Sequence, residues 1–190
     1  MIKLFASGSF LCLLLLVSFS GCRTTETRSY ESKEGIRAIV YQLEEQFGNE
    51  GSYSAIHMRY DDSSGFILTA TGVVQKATDS LVVRQLKKGD WTELAVTPLK
   101  TGGNSTVLFS LKTLQDLQMI PDLIKASIFK LAKEIRRPGL EVKEVLINAP
   151  GYDGGEDPVR INIYVEPKAG DEKFELAYNK EGQLKSLLNY

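Results

Sequence analysis

An α+β fold, with an antiparallel sheet and helices packed on one of its faces, is predicted by three features of this 190-residue chain. Apolar residues recur at helical spacing in two places only, around residues 36–47 and 124–135. Each helical stretch is followed by several short alternating runs separated by turn residues, the pattern of hairpin-connected strands. No helix intervenes between successive runs, so neighbouring strands are expected to pair antiparallel rather than through parallel crossovers.

The first helix is read from Ile36, Ile39, Val40, Leu43 and Phe47, which fall at i, i+3, i+4, i+7 and i+11, and from Gly48, which stops it. Burying five such side chains is worth about 10 kcal/mol at ~2 kcal/mol each. Ordering the backbone of the same stretch costs more, at ~1–2 kcal/mol per residue. The helix therefore needs a sheet to lie on. Residues 53–60 supply the first strand, with Ile56, Met58 and Tyr60 on one face and Tyr53, Ala55, His57 and Arg59 on the other. A turn at 61–65 (DDSSG) leads into residues 66–74, a β-branched run with Gly72 placed as at a bulge. Residues 81–86 form a third strand, and a turn at 87–90 leads to a fourth at 91–96. Residues 97–106 (TPLKTGGNST) are the best internal boundary, with 107–111 as a short strand before it closes.

The second half repeats this order. Pro121 suits the first turn of a helix. Ile124, Ile128, Leu131 and Ile135 make its stripe, widened by Leu123 and Phe129, and Lys133, Arg136 and Arg137 sit where cations favour the helix dipole. Pro138-Gly139 ends it. Strands follow at 141–148, at 159–166 and at 174–178, with a last one at 183–190. The units are 34–111 and 112–190, and the two can form one continuous domain. Two readings stay open: an internal duplication of helix plus meander, or one larger sheet carrying two unrelated helices.

The N-terminus carries a different signal. Lys3 is followed by an apolar run at 10–19 (FLCLLLLVSF), as long as a secretory core and short of the ~20 residues a spanning helix needs. Ser20-Gly21-Cys22 comes next, then polar residues. This order resembles the bacterial lipobox, with Phe19 in place of the usual Leu. The resemblance implies a signal peptide over 1–21, cleavage before Cys22, and acylation of Cys22 as a membrane anchor held by more than one acyl chain. Arg23 follows the cysteine where lipoproteins retained in the inner membrane of some bacteria carry Asp. The implied location is therefore the outer membrane, facing the periplasm. Residues 22–33 then read as a polar tether.

The closing segment 174–184 (FELAYNKEGQL), after a helix and antiparallel strands, resembles PepSY-like domains of bacterial envelope proteins, whose last hairpin pairs an aromatic strand with an Asn-x-x-Gly turn. The resemblance covers 121–190 and, more faintly, 34–96. It implies a small binding or inhibitory module and carries over no catalytic residue.

Candidate chemistry is sparse. His57 is the one histidine, and Asp61, four residues on, is its candidate partner. A nucleophile triad would also need a placed serine and an oxyanion hole, and no Gly-x-Ser-x-Gly is present. Asp153, Glu156 and Asp157 lie in a glycine-rich loop (149–158) whose oxygens could hold calcium, although the spacing is not that of an EF-hand. Ordinary turn use of the same residues is the stronger reading, and Tyr152 in that loop is a candidate contact residue. Trp91 is read as cross-strand packing. Residues 101–105 (TGGNS) lack the lysine of a phosphate loop.

Charge is balanced, with 23 basic against 24 acidic residues, which provides no basic field for nucleic acid. Cys12 leaves with the signal and Cys22 would be acylated, so no disulfide and no thiolate metal site is expected. No cofactor and no catalytic set is assigned. The expected function is that of a non-catalytic envelope lipoprotein that binds a protein or peptide partner. The rival is a binder of a lipid or apolar small molecule between helix and sheet, lined from the stretch 124–135.

Overall fold

The computed structural model describes residues 28–75, 77–100, 106–111, 117–136, 139–149 and 159–190. The expectations placed on Cys22, Arg137, Tyr152, Asp153, Glu156 and Asp157 lie outside the described residues.

Helix α1 (Lys33–Phe47) starts where Ser32 accepts a hydrogen bond from the Gly35 backbone N–H at 3.0 Å, a serine N-cap. It stops at Gly48, whose N–H still reaches Glu44 O at 2.8 Å and whose φ of 87°, open to glycine, turns the chain out of the helix. Ile36, Ile39, Leu43 and Phe47 are buried, the stripe that their spacing predicts.

A meander follows: β1 (Ser52–Asp61), β2 (Gly65–Val74), β3 (Ala77–Lys87) and β4 (Asp90–Pro98), then the two-residue β5 (Phe109–Ser110). Helix α2 (Ile120–Ile135) precedes a second meander of β6 (Leu140–Asn148), β7 (Arg160–Pro167), β8 (Phe174–Asn179) and β9 (Leu184–Asn189). The nine strands of the described residues form one antiparallel sheet in the order β4-β3-β2-β1-β6-β7-β8-β9, with β5 beside β1. The first strand of each half lies at the centre, where β1 pairs with β6, and each meander runs outward from there.

The core crosses that central seam. Met58 faces Leu68 on one side and Val145 on the other, and Ile56 faces Ala70 and Ile147. Further out Ile161, Ile163 and Val165 pair with Tyr178, Leu176 and Phe174. All of these side chains are buried. Each helix is tied to the sheet by a polar contact as well as by packing. Trp91 Nε1 donates to Gln42 Oε1 of α1 at 3.1 Å, and Ser127 Oγ of α2 lies 2.7 Å from the Tyr178 hydroxyl. Arg84 on β3 closes the end of α1, donating to Gln46 O with its guanidinium 5.6 Å from the centre of the Phe47 ring.

Three expectations are corrected. Tyr53 lies in the core, not on the face of His57, because the β1–β2 register shifts between Tyr53 and Ala55 and the bulge inverts the alternation there. Gly72 faces this bulge, and a Cβ on it would come 2.5 Å from Ser52 O. Phe129 is 73% exposed rather than part of the α2 stripe. The inward position is taken by Ser127, whose hydroxyl is satisfied by Leu123 O and Tyr178. Finally, the stretch read as tether is packed from Arg28 onward. A 3-10 turn (Ser29–Glu31) buries Tyr30 completely, and its hydroxyl donates to Val142 O and Lys143 O.

Candidate functional site

Two places gather polar groups. The first is a strip of side chains that alternate away from the core rows: His57 and Arg59 on β1, Thr69 on β2, Glu144 and Leu146 on β6, Asn162 and Tyr164 on β7, Glu175 on β8. Here His57 Nε2 and Glu144 Oε2 are 2.6 Å apart. The hydrogen bond from His57 holds the Glu144 carboxyl below the usual carboxylate range against the opposing effect of burial, with Arg59 and Lys173 adding to the pull. Asp61 is not the partner of His57. It accepts from the hydroxyl of Ser63 and from the backbone of Ser63 and Ser64 in the β1–β2 turn, and its carboxyl is held at about 2 by these serines. The nearest cross-strand hydroxyl, Thr69, takes a hydrogen bond from Gln85 Nε2 at 3.1 Å. The imidazole and the carboxylate thus join the two central strands.

Asn162 is nine-tenths buried, and among the described residues its Oδ1 has no hydrogen-bond partner, as is also true of Asn148 Oδ1. Both oxygens are closed off from solvent, so neither presents itself to a ligand.

The second place is a cleft of about 700 Å³ where α2, the 3-10 turn and the start of β6 converge. Ile124, Ile128, Leu140 and Tyr60 give it apolar wall. Glu141 is its electrostatic hub, with Arg28 Nη2 at 2.7 Å, Lys168 Nζ at 3.2 Å and Lys143 Nζ at 3.3 Å. Burial pushes the Glu141 carboxyl up, but hydrogen bonds from Arg28, Lys168 and Lys143 outweigh it and bring the group to about 2. The Arg28 guanidinium also lies 5.4 Å from the Tyr60 ring centre. Sequence reasoning missed Arg28 and Glu141 because they are 113 residues apart and meet only when the 3-10 turn docks on β6.

Among the described residues no group of three or more His, Cys, Asp or Glu could hold a metal ion, and no helix is long and apolar enough to cross a membrane. Trp91 packs against the core and bonds Gln42, as a cross-strand residue does. No family model, curated protein or solved structure matches this chain significantly.

Proposed function

We propose that this chain is a bacterial envelope lipoprotein, acylated at Cys22, that acts as a non-catalytic binding module for a protein or peptide. The anchor reading rests on the order of charge, apolar run and small residues before Cys22. The PepSY-like closing hairpin is consistent with a binding role, and outer-membrane placement follows from Arg23.

The binding reading rests on where the helix contacts fall, on side chains that share one face of the sheet. We read both helices as lying on one face. Trp91, which bonds α1, belongs to the cross-strand row of Leu86, Leu68 and Met58. Tyr178, which bonds α2, belongs to the row of Ile161, Ile147 and Ile56. Met58 and Ile56 share one side of β1, so the strip from His57 to Glu175 faces the other way. That strip is mostly polar, with His57, Arg59, Glu144 and Glu175 partly or fully exposed and Ile67, Asn162 and Ala177 buried within its rows; the edge strand β4, beyond β3, carries Leu94 and Val96, each more than half exposed. An extended segment can add to that edge through backbone hydrogen bonds, and the rest of a partner can reach over β3 to the strip. Repetition of helix plus four-strand meander about the β1–β6 seam supports reading 34–111 and 112–190 as duplicated units.

Site-specific photocrosslinking in intact cells tests this proposal. A crosslinker at Leu94 or Arg59 is expected to give one discrete adduct, and one at Tyr41 on α1, 59% exposed, to give none. Adducts of equal yield from all three positions, or turnover of an envelope substrate by the purified chain, would refute it.

A further inference from the structure

We propose that the cleft beside α2 binds a single-chain amphiphile with an anionic head, of the chemical class of a fatty acyl carboxylate. Its volume of about 700 Å³ is in the range of small-molecule sites. The wall divides chemically, with the partly buried Ile128 and Leu140 offering apolar surface to an acyl chain and the buried Ile124 behind them. Its charged lining consists of three cations, Arg28, Lys125 and Lys168, against two acids, Glu31 and Glu141. Glu141 is already saturated by Arg28, Lys143 and Lys168. Among the described lining residues Lys125 is the most loosely paired cation: its side chain is 75% exposed and its contact to Asp122 is stretched to 4.0 Å. A carboxylate head would gain a closer partner there, and the acyl chain would cover Ile128.

Two further observations place this cleft near a source of such molecules. Phe129, an exposed aromatic, stands one helical turn beyond Lys125 on the same side of α2. Arg28, which lines the cleft, is six residues after Cys22, a span of at most roughly 20 Å. An acylated Cys22 would thus keep the cleft within reach of the bilayer. This membrane source rests on the anchor reading above, whereas binding itself does not.

The test uses the mature full-length chain with Cys22→Ser, which carries no acyl group of its own, so that failure of binding is distinct from failure of the anchor reading. Titration with palmitate, kept below its micelle concentration, is expected to saturate at one equivalent. Hexadecanol, which lacks the charge, should bind at least tenfold more weakly, and inorganic phosphate, which lacks the chain, should not bind. Lys125→Glu should weaken palmitate at least tenfold without altering the far-ultraviolet circular dichroism. Ile128→Asp should do the same where it folds. Absence of saturable palmitate binding, hexadecanol binding as tight as palmitate, or unchanged affinity in Lys125→Glu would overturn the proposal.

Discussion

His57 of β1 and Glu144 of β6 are joined side chain to side chain at 2.6 Å across the seam where the two meanders meet. The pair is diagonal in the ladder, since Glu144 lies directly opposite Arg59 and His57 opposite Leu146. Both side chains remain a third or more exposed, so water screens most of their attraction. Glu144→Gln is therefore expected to cost less than about 1 kcal/mol in urea denaturation at neutral pH. A loss of several kcal/mol would mean that the pair is a cornerstone of the fold.

The Ser127 and Tyr178 hydroxyls fasten α2 to β8 from fully buried positions, a different regime. Tyr178→Phe leaves Ser127 its bond to Leu123 O, and we expect a loss of about 1 kcal/mol. Ser127→Ala strands the Tyr178 hydroxyl in the core and should cost about 1–3 kcal/mol. The double variant should cost less than the sum of the two, because it removes donor and acceptor together. A double-mutant cycle by thermal denaturation reads this directly.

Gly35 reverses a common rule. Gly→Ala inside a helix ordinarily stabilises by up to about 1 kcal/mol. At Gly35 the new Cβ would fall 1.8 Å from Ser29 O, where the 3-10 turn folds back over α1. Gly35→Ala should therefore destabilise by about 1–3 kcal/mol and release Tyr30 from its pocket. An upward shift of the urea midpoint would show that this turn is not held against the helix.

Glu141 sets an acid-side dependence. Its carboxyl goes from an ordinary 4.5 to about 2 in the folded chain, the net outcome of burial opposed by three cationic hydrogen-bond donors. A depressed carboxyl contributes stability above its unfolded value and loses it as pH falls through the folded value. Wild-type stability should thus decline between about pH 4.5 and pH 2 in part through this group. Glu141→Gln should be less stable at neutral pH by up to about 1 kcal/mol and show a shallower decline in acid. An identical acid slope in the variant would contradict the hub at the cleft.

The elements were legible because apolar spacing reports them locally. Ile36 to Phe47 gave α1 to within three residues at its start, and the alternation of Ile161, Ile163 and Val165 gave β7 to within one residue at each end. What stayed hidden depends on contacts between distant segments or on a slip of one residue. The bulge after Tyr53 turns that ring inward although its neighbours obey the alternation. Ser127 drew no expectation, and its partner, Tyr178, is 51 positions away. His57 was matched to Asp61 by proximity in sequence, while pairing of β1 with β6 delivered Glu144 from 87 residues downstream. Arg28 looked like tether because its acid lies on β6.

The most direct test of a membrane-anchored binding module is metabolic labelling of cells with a clickable palmitate analogue. Wild-type chain should take up the label and fractionate with membranes, and Cys22→Ala should do neither. Equal labelling of the two proteins, or none on either, would contradict the account.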